Sequence, residues 1–406
     1  MTVTSLRPLF PGVYLPSLLF EIGIGAAIPM VVVRASDLGA SIAVAGFLTA
    51  LLPIGKILAD VPAGAIAARI GDRSTMILAS GVAIVAAAVA GAANSVVLFA
   101  AGVLVLGMTD AVYQLARQSY LTGIVHPLRR ARAMSTLGGV HRIGLFIGPF
   151  VAAAIAPWAG AAGGFWVAMA ASIGAAAVVV LAPALPGEAA AASAHRMSMW
   201  QVLRTNKSIY ATLGVAVLGI GAVRGARQGA LPLWTEHLGF DASATALIFG
   251  ISGAIDMAMF YPAGKVMDAF GRLWVAIPSM LIMGAAMLAL PLTTSFAAVT
   301  AVALVLGFGN GIGSGILMTL AADAAPEGGR SQFLGIWRLF ADAGNSGGPL
   351  IVAGGAALGS LAAGMIAIGV VSVGSVAALG TWVPRWSVHA NARTRAEAGI
   401  ARPGSG

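Results

Sequence analysis

Residues 41–73 read SIAVAGFLTALLPIGKILADVPAGAIAARIGDR. From Ser41 to Ala67 the segment carries only Lys56 and Asp60 as charges, and it exceeds the roughly 20 apolar residues that an α-helix needs to cross a bilayer. The character then changes abruptly, because Arg69, Gly71, Asp72 and Arg73 make a short, charged turn broken by glycine. A lipid-crossing helix closed by a charged turn is therefore the building unit to look for elsewhere. The 406 residues are 59% hydrophobic and 9% charged, with 54 glycines, and the mean hydropathy is +0.93. Soluble domains carry about a quarter charged residues, so this chain lacks the polar side chains to cover itself and must present apolar ones to lipid. The lipid bilayer is the first expected partner. Disorder and collagen-like repeats are excluded by the same figures. The absence of cysteine removes disulfide scaffolds, thiol nucleophiles and thiolate metal sites.

The sequence contains twelve such apolar runs: 9–33, 41–67, 75–93, 97–122, 134–156, 163–183, 208–233, 243–266, 274–292, 297–322, 332–355 and 360–383. The expected fold is an all-α integral membrane protein with twelve transmembrane helices. Of the 23 Lys and Arg residues, sixteen lie in segments on the side of the termini, Arg34 alone lies in the opposite loops, and six lie inside the runs. The positive-inside rule then places both termini in the cytoplasm of a multi-pass cell-membrane protein. The net charge of +9 is spread over these loops and makes no basic patch, so no nucleic-acid partner is expected. The first run lacks a small-residue cleavage site and holds Glu21, which marks it as a retained helix.

Residues 184–206, rich in Ala, Pro and Ser, form the longest connection and are read as a linker between an N-terminal half (1–183) and a C-terminal half (207–383), followed by a tail (384–406). The halves resemble one another. Pro62-Ala63-Gly64 recurs as Pro262-Ala263-Gly264, Leu104–Gly107 as Leu304–Gly307, and Gly144, Gly148, Pro149 as Gly344, Gly348, Pro349, all at an offset of 200. Chance matches are common in Ala/Gly-rich sequence, but a shared register points to a duplicated six-helix repeat.

The turn after the second run, Gly64-Ala65-Ile66-Ala67-Ala68-Arg69-Ile70-Gly71-Asp72-Arg73, and the turn after the eighth, Gly264-Lys265-Val266-Met267-Asp268-Ala269-Phe270-Gly271-Arg272, both resemble the signature of the major facilitator superfamily. The second copy keeps the acid as Asp268, whereas the first has Ala68 there. Gly139, Gly144, Gly148 and Pro149 of the fifth run are similar to the antiporter motif of the drug/proton exporters in that superfamily, and Arg117 in Leu115-Ala116-Arg117-Gln118 resembles their fourth-helix arginine. The same glycines also read as plain close packing of helices. The resemblance implies two six-helix halves that rock about a central cavity. A membrane enzyme or a non-transporting receptor is disfavoured because no nucleophile–base set, metal site or soluble domain is visible in the sequence, and no cofactor is expected.

Other patterns carry nothing. Gly344-Asn345-Ser346-Gly347-Gly348 matches the hydrolase elbow but lies within an apolar run and not between a strand and a helix. The five histidines lack metal-ligand spacing, so no metal is expected.

Charges at membrane depth are costly and mark pathways, relays or paired partners. With a rise of roughly 1.5 Å per residue, Lys56, Arg142, Asp256 and Asp342 fall at similar depths, as do Asp60 and Arg338. In the fold that the resemblance implies, the second helix meets the eleventh and the fifth meets the eighth. Lys56 with Asp342, Asp60 with Arg338 and Arg142 with Asp256 are then expected as pairs gating the two halves. Glu21 and Asp110 remain outside these pairs near mid-membrane and are the candidates for proton coupling. Asp110, Gln114 and Arg117 share one helical face, so Asp110 has the alternative of being held ionised by Arg117; this favours Glu21 as the proton carrier, the competing reading being a structural acid. Gln114, Arg117, Arg224, Arg227, Gln228 and Asn310 are expected to line the substrate cavity. The expected function is proton-coupled efflux of small amphipathic compounds by a monomer, with protons and a small-molecule substrate as partners. The alternative is proton-coupled import of a small metabolite, with Arg224 or Arg227 binding an anionic group.

Overall fold

Each apolar run folds as a helix because lipid offers the backbone no other hydrogen-bond partner. The structure is a computed structural model that describes residues 9–125, 127–183, 199–313, 315–326 and 330–397. The helices are α1 (Leu15–Asp37), α2 (Ile42–Ile70), α3 (Asp72–Ala92), α4 (Val96–Ile124), α5 (Pro127–Ala159), α6 (Ala162–Leu181), α7 (Val215–His237), α8 (Ala242–Phe270), α9 (Leu273–Ala289), α10 (Phe296–Gly313), α11 (Arg330–Ala357) and α12 (Leu361–Trp386). A further helical stretch, Ile316–Ala324, continues α10. Among the described residues, eleven helices are long and apolar enough to cross a membrane. The twelfth, α11, has the length but carries Arg338, Asp342 and Asn345 in its middle. The protein is an all-α, multi-pass membrane protein. Of the expected linker, residues 184–198 lie outside the described residues, as do the tail beyond Glu397 and the side chain of Asp268.

The 200-residue offset extends to details that no sequence motif announces. A one-turn π-helix, Phe10–Tyr14, leads into α1, and another, Tyr210–Gly214, leads into α7. The Ser41 and Ser95 hydroxyls accept from the amides of Val44 and Leu98 to cap α2 and α4. Asp241 and Ser295 cap α8 and α10 in the same way through Ala244 and Ala298. Gly71 and Gly271 end α2 and α8 at φ +84° and +108°, a backbone region that side-chain-bearing residues rarely enter.

Two compact units divide the chain: Met1–Ala194 with Thr235–Gly250, and His195–Trp234 with Ile251–Gly406. In the first unit, α1 packs on α5 and α6, α4 packs on α2 and α3, and α3 packs on α6. Glycine sets how close these helices come. A Cβ on Gly107 of α4 would overlap the Leu52 carbonyl of α2, and one on Gly148 of α5 would overlap the backbone of Ile22 and Ala26 in α1. The second unit repeats both contacts: Gly307 sits on the Ser252 carbonyl and Gly348 on the Ala222 carbonyl. Here α9 packs on α10 and α12, and α11 packs on α12. Large apolar side chains such as Val97, Trp158, Leu292 and Val370 stand exposed on the helix exteriors, as lipid contact requires.

Candidate functional site

In the first unit α1, α4 and α5 converge on Glu21. Gly144 of α5 lies against the Glu21 Cβ, where an added Cβ would leave only 2.5 Å, so the α5 backbone closes directly over the acid and buries it completely. Glu21 Oε1 lies 2.8 Å from Arg117 Nη1 and 2.8 Å from His141 Nδ1. Arg117 Nη2 is in turn 3.4 Å from His141 Nδ1. Neither Glu21 oxygen has a partner in hydrogen-bond geometry among the described residues, so the Oε1 contacts are close ion-pair approaches. Two turns away on the same face of α4, Asp110 accepts from Gln114 Nε2 at 2.8 Å, and Lys56 Nζ of α2 lies 2.5 Å from its Oδ2. The buried rings of Phe20 and Tyr113 stack with centroids 4.1 Å apart, bracing α1 against α4. An ionised group taken out of water needs an opposite charge beside it, and each acid has its own cation.

Two expectations are corrected here. Glu21 is paired, with Arg117 and His141. Asp110 is held by Lys56 and Gln114, while Arg117 is committed to Glu21. The reason is the close approach of α2 and α4. Gly55, next to Lys56, would press a Cβ onto the Leu104 carbonyl, and Gly107 reciprocates on Leu52. Position along a helix gives depth, but these backbone contacts decide which side chains meet.

The second unit builds its polar cluster on α7, α8 and α10. Arg227 Nη1 donates to Ser252 Oγ at 3.0 Å and Nη2 to Asp256 Oδ2 at 3.4 Å. Asn310 Nδ2 donates to the same Asp256 oxygen at 2.6 Å. Asp256 and Asn310 occupy the repeat positions of Lys56 and Asp110, so a lysine–carboxylate contact has become a carboxylate–amide contact and Arg227 supplies the positive charge. Arg224 donates to the Gly313 carbonyl, and Gln228 is exposed. Asp342 Oδ2 lies 3.6 Å from Arg338 Nε on its own helix. Asp256 and Asp342 each have a cation within their own unit, Arg227 and Arg338. Asp60 and Arg142 are half-buried on α2 and α5.

The signature turns bind differently. Arg73 donates to the carbonyls of Val179 at 2.8 Å and Ala182 at 2.5 Å, closing the C-terminus of α6, where a cation also meets the helix dipole favourably. Arg69 is exposed and Gly64 and Gly264 are half-buried. In the second unit Arg272 Nε donates to Asp323 at 3.1 Å, and Ser387 Oγ donates to the same carboxylate at 2.5 Å. The Arg272 and Leu273 amides donate to the His389 and Ala390 carbonyls at 2.9 and 3.0 Å. The fifth-helix motif is a packing device, since Gly144 and Gly148 seat α5 on α1 and their repeats Gly344 and Gly348 seat α11 on α7. Pro149 lies inside α5. His141, Ser252 and Asp323 were not anticipated. The signal for His141 was its position one turn before Gly144, the residue that carries α5 onto Glu21.

The sequence matches the model of the Major Facilitator Superfamily over residues 13–349 and again over 213–401. The chain belongs to the major facilitator superfamily. Among solved structures, this transporter is similar to the nucleoside transporter NupG, with a TM-score of 0.73, 11% identity, and coverage of 92% of this chain and 99% of that one. A POT family transporter in complex with 5-aminolevulinic acid matches with a TM-score of 0.73 at 12% identity, covering 92% and 95%. A D-xylose-proton symporter matches with a TM-score of 0.68 at 17% identity, covering 94% and 98%. At these identities the likeness concerns the fold. No curated protein sequence matches the chain. The protein is thus a membrane transporter of the superfamily and not an enzyme.

Proposed function

We propose that this transporter exports small amphipathic compounds in exchange for protons, with two six-helix halves giving alternating access and both termini in the cytoplasm. The observation that carries the proton part is the enclosure of Glu21 between Arg117 and His141. Deprotonated, the carboxylate holds the Arg117 guanidinium; protonated, it gives up that ion pair, so a proton and an ion pair compete for one oxygen and a bound proton changes how α1, α4 and α5 attach to one another. The export direction is supported only by the resemblance of the fifth-helix glycines and Arg117 to the exporter motifs, since in the structure the glycines pack α5 on α1 and Arg117 pairs with Glu21. Import of a small polar metabolite is the second reading, and the Arg227, Asp256 and Asn310 cluster favours it as a set of donors and acceptors for a polar solute.

Purified protein in liposomes tests both. Under an imposed pH gradient, antiport gathers ethidium, an amphipathic probe, in the acidic compartment, whereas symport gathers a labelled nucleoside, sugar or amino acid in the alkaline one. Glu21→Gln should abolish the response to the gradient while leaving binding intact. Gradient-driven movement that persists in Glu21→Gln rejects this acid as the coupling group.

A further inference from the structure

We propose that His141 is the positioning and relay group through which Glu21 gains and loses its proton, an inference that rests on Glu21 being the proton carrier. Glu21 cannot exchange protons directly, because it is fully buried and Gly144 closes α5 over it. Its oxygen Oε1 touches two nitrogen groups at 2.8 Å. Arg117 is one of them, and a guanidinium does not release its proton in proteins; its side chain is also 3% exposed. His141 is the other, with 29% of its side chain exposed. An imidazole ionises near neutral pH and has a nitrogen on each side of the ring, so it can face Glu21 with Nδ1 and the surroundings with Nε2.

The transfers balance. In the loading direction Nε2 takes a proton from water, the ring becomes imidazolium, and the Nδ1 proton passes to Glu21 Oε1, leaving a neutral ring protonated on Nε2. Unloading is the reverse: the carboxyl proton returns to Nδ1 and the Nε2 proton leaves to water, which restores the starting tautomer. The charged and titratable groups around the ring fit this task. Glu21 of α1 attracts the imidazolium, Arg117 of α4 at 3.4 Å opposes it, and Asp110 of α4 interacts with it through space. Asp110 itself is countered by Lys56 of α2 at 2.5 Å, and Arg142 follows on α5. The imidazolium is thus a transient with one close anion and one close cation, and does not become a permanent ion pair.

The test uses protons as the only probe. Purified protein in lipid nanodiscs is given a rapid pH drop, and protonation of Glu21 is followed by infrared spectroscopy as the carboxyl band that Glu21→Gln lacks. His141→Ala should slow the appearance of this band by roughly 100-fold, the scale of a positioned acid–base group, and imidazole added to the buffer should restore the rate by entering the vacated space. His141→Gln, which keeps the side-chain volume and a hydrogen-bonding amide, should be slow and should not respond to imidazole; it also serves if the alanine variant fails to fold. Wild-type rates in both variants overturn the relay and leave Glu21 standing as carrier. Slowing that imidazole does not relieve in His141→Ala also overturns it, since this is the mark of a merely structural role. If no band depends on Glu21 in the wild type, the carrier reading itself falls and the relay falls with it.

Discussion

Neutralising Asp110 and neutralising Lys56 are unequal changes, although the two groups touch. Asp110 is 1% exposed whereas the Lys56 side chain is 25% exposed, so the lysine can extend its ammonium outward along its flexible stem. Lys56→Met strands a buried carboxylate beside Gln114 and should cost about 3–5 kcal/mol. Asp110→Asn keeps a side-chain oxygen for Gln114 and should cost about 1 kcal/mol. The double variant should recover much of the first loss, as read from thermal unfolding in detergent; additive losses would mean that the contact carries no energy. At this scale the sequence was half legible. Every acid of the site stands out as a charge in an apolar run, but the choice of Arg117 for Glu21 and Lys56 for Asp110 depends on helix rotation and separation, which depth does not contain. His141 was missed for a related reason. An isolated histidine without metal spacing has no pattern, and its role comes from the glycine one turn further on.

Helix contacts, by contrast, were written openly in the 200-residue register, because a glycine that admits a backbone oxygen cannot be exchanged for a larger residue without moving a helix. Gly148→Ala should destabilise by about 1–3 kcal/mol through overpacking, since its Cβ would collide with Ile22 and Ala26. Gly348→Ala should lose a similar amount against Ala222. Gly138 of α5 is the control: nothing lies within 4 Å of its added Cβ, and alanine there should stabilise the helix by up to about 1 kcal/mol. Equal melting temperatures for all three variants would remove packing as the purpose of the motif. Run length foretold twelve helices for an equally physical reason, as lipid permits few alternatives. The π-turns before α1 and α7 were not foretold, because no residue pattern in Phe10–Tyr14 or Tyr210–Gly214 demands an extra residue per turn.

Across the chain as a whole, the two copies of the signature turn are fastened differently. Gly71 stands in open space at φ +84°, whereas Gly271 at φ +108° faces the Ala390 carbonyl. Gly71→Ala should therefore cost only the backbone strain of about 1–2 kcal/mol. Gly271→Ala adds a collision, and should speed amide hydrogen exchange at Leu273 by dislodging Ser387–Asn391; unchanged exchange there would show that the clamp bends to accommodate the methyl group. The difference also bears on how the protein is made. Arg73 finds its acceptors at the end of α6, so the first signature turn can close when less than half of the 406 residues have left the ribosome. The carbonyls of His389 and Ala390, however, are translated after all twelve helices. Throughout that interval the α8–α9 turn waits with two open amides, and a nascent chain stalled before Ser387 would offer this turn to the proteases of membrane quality control.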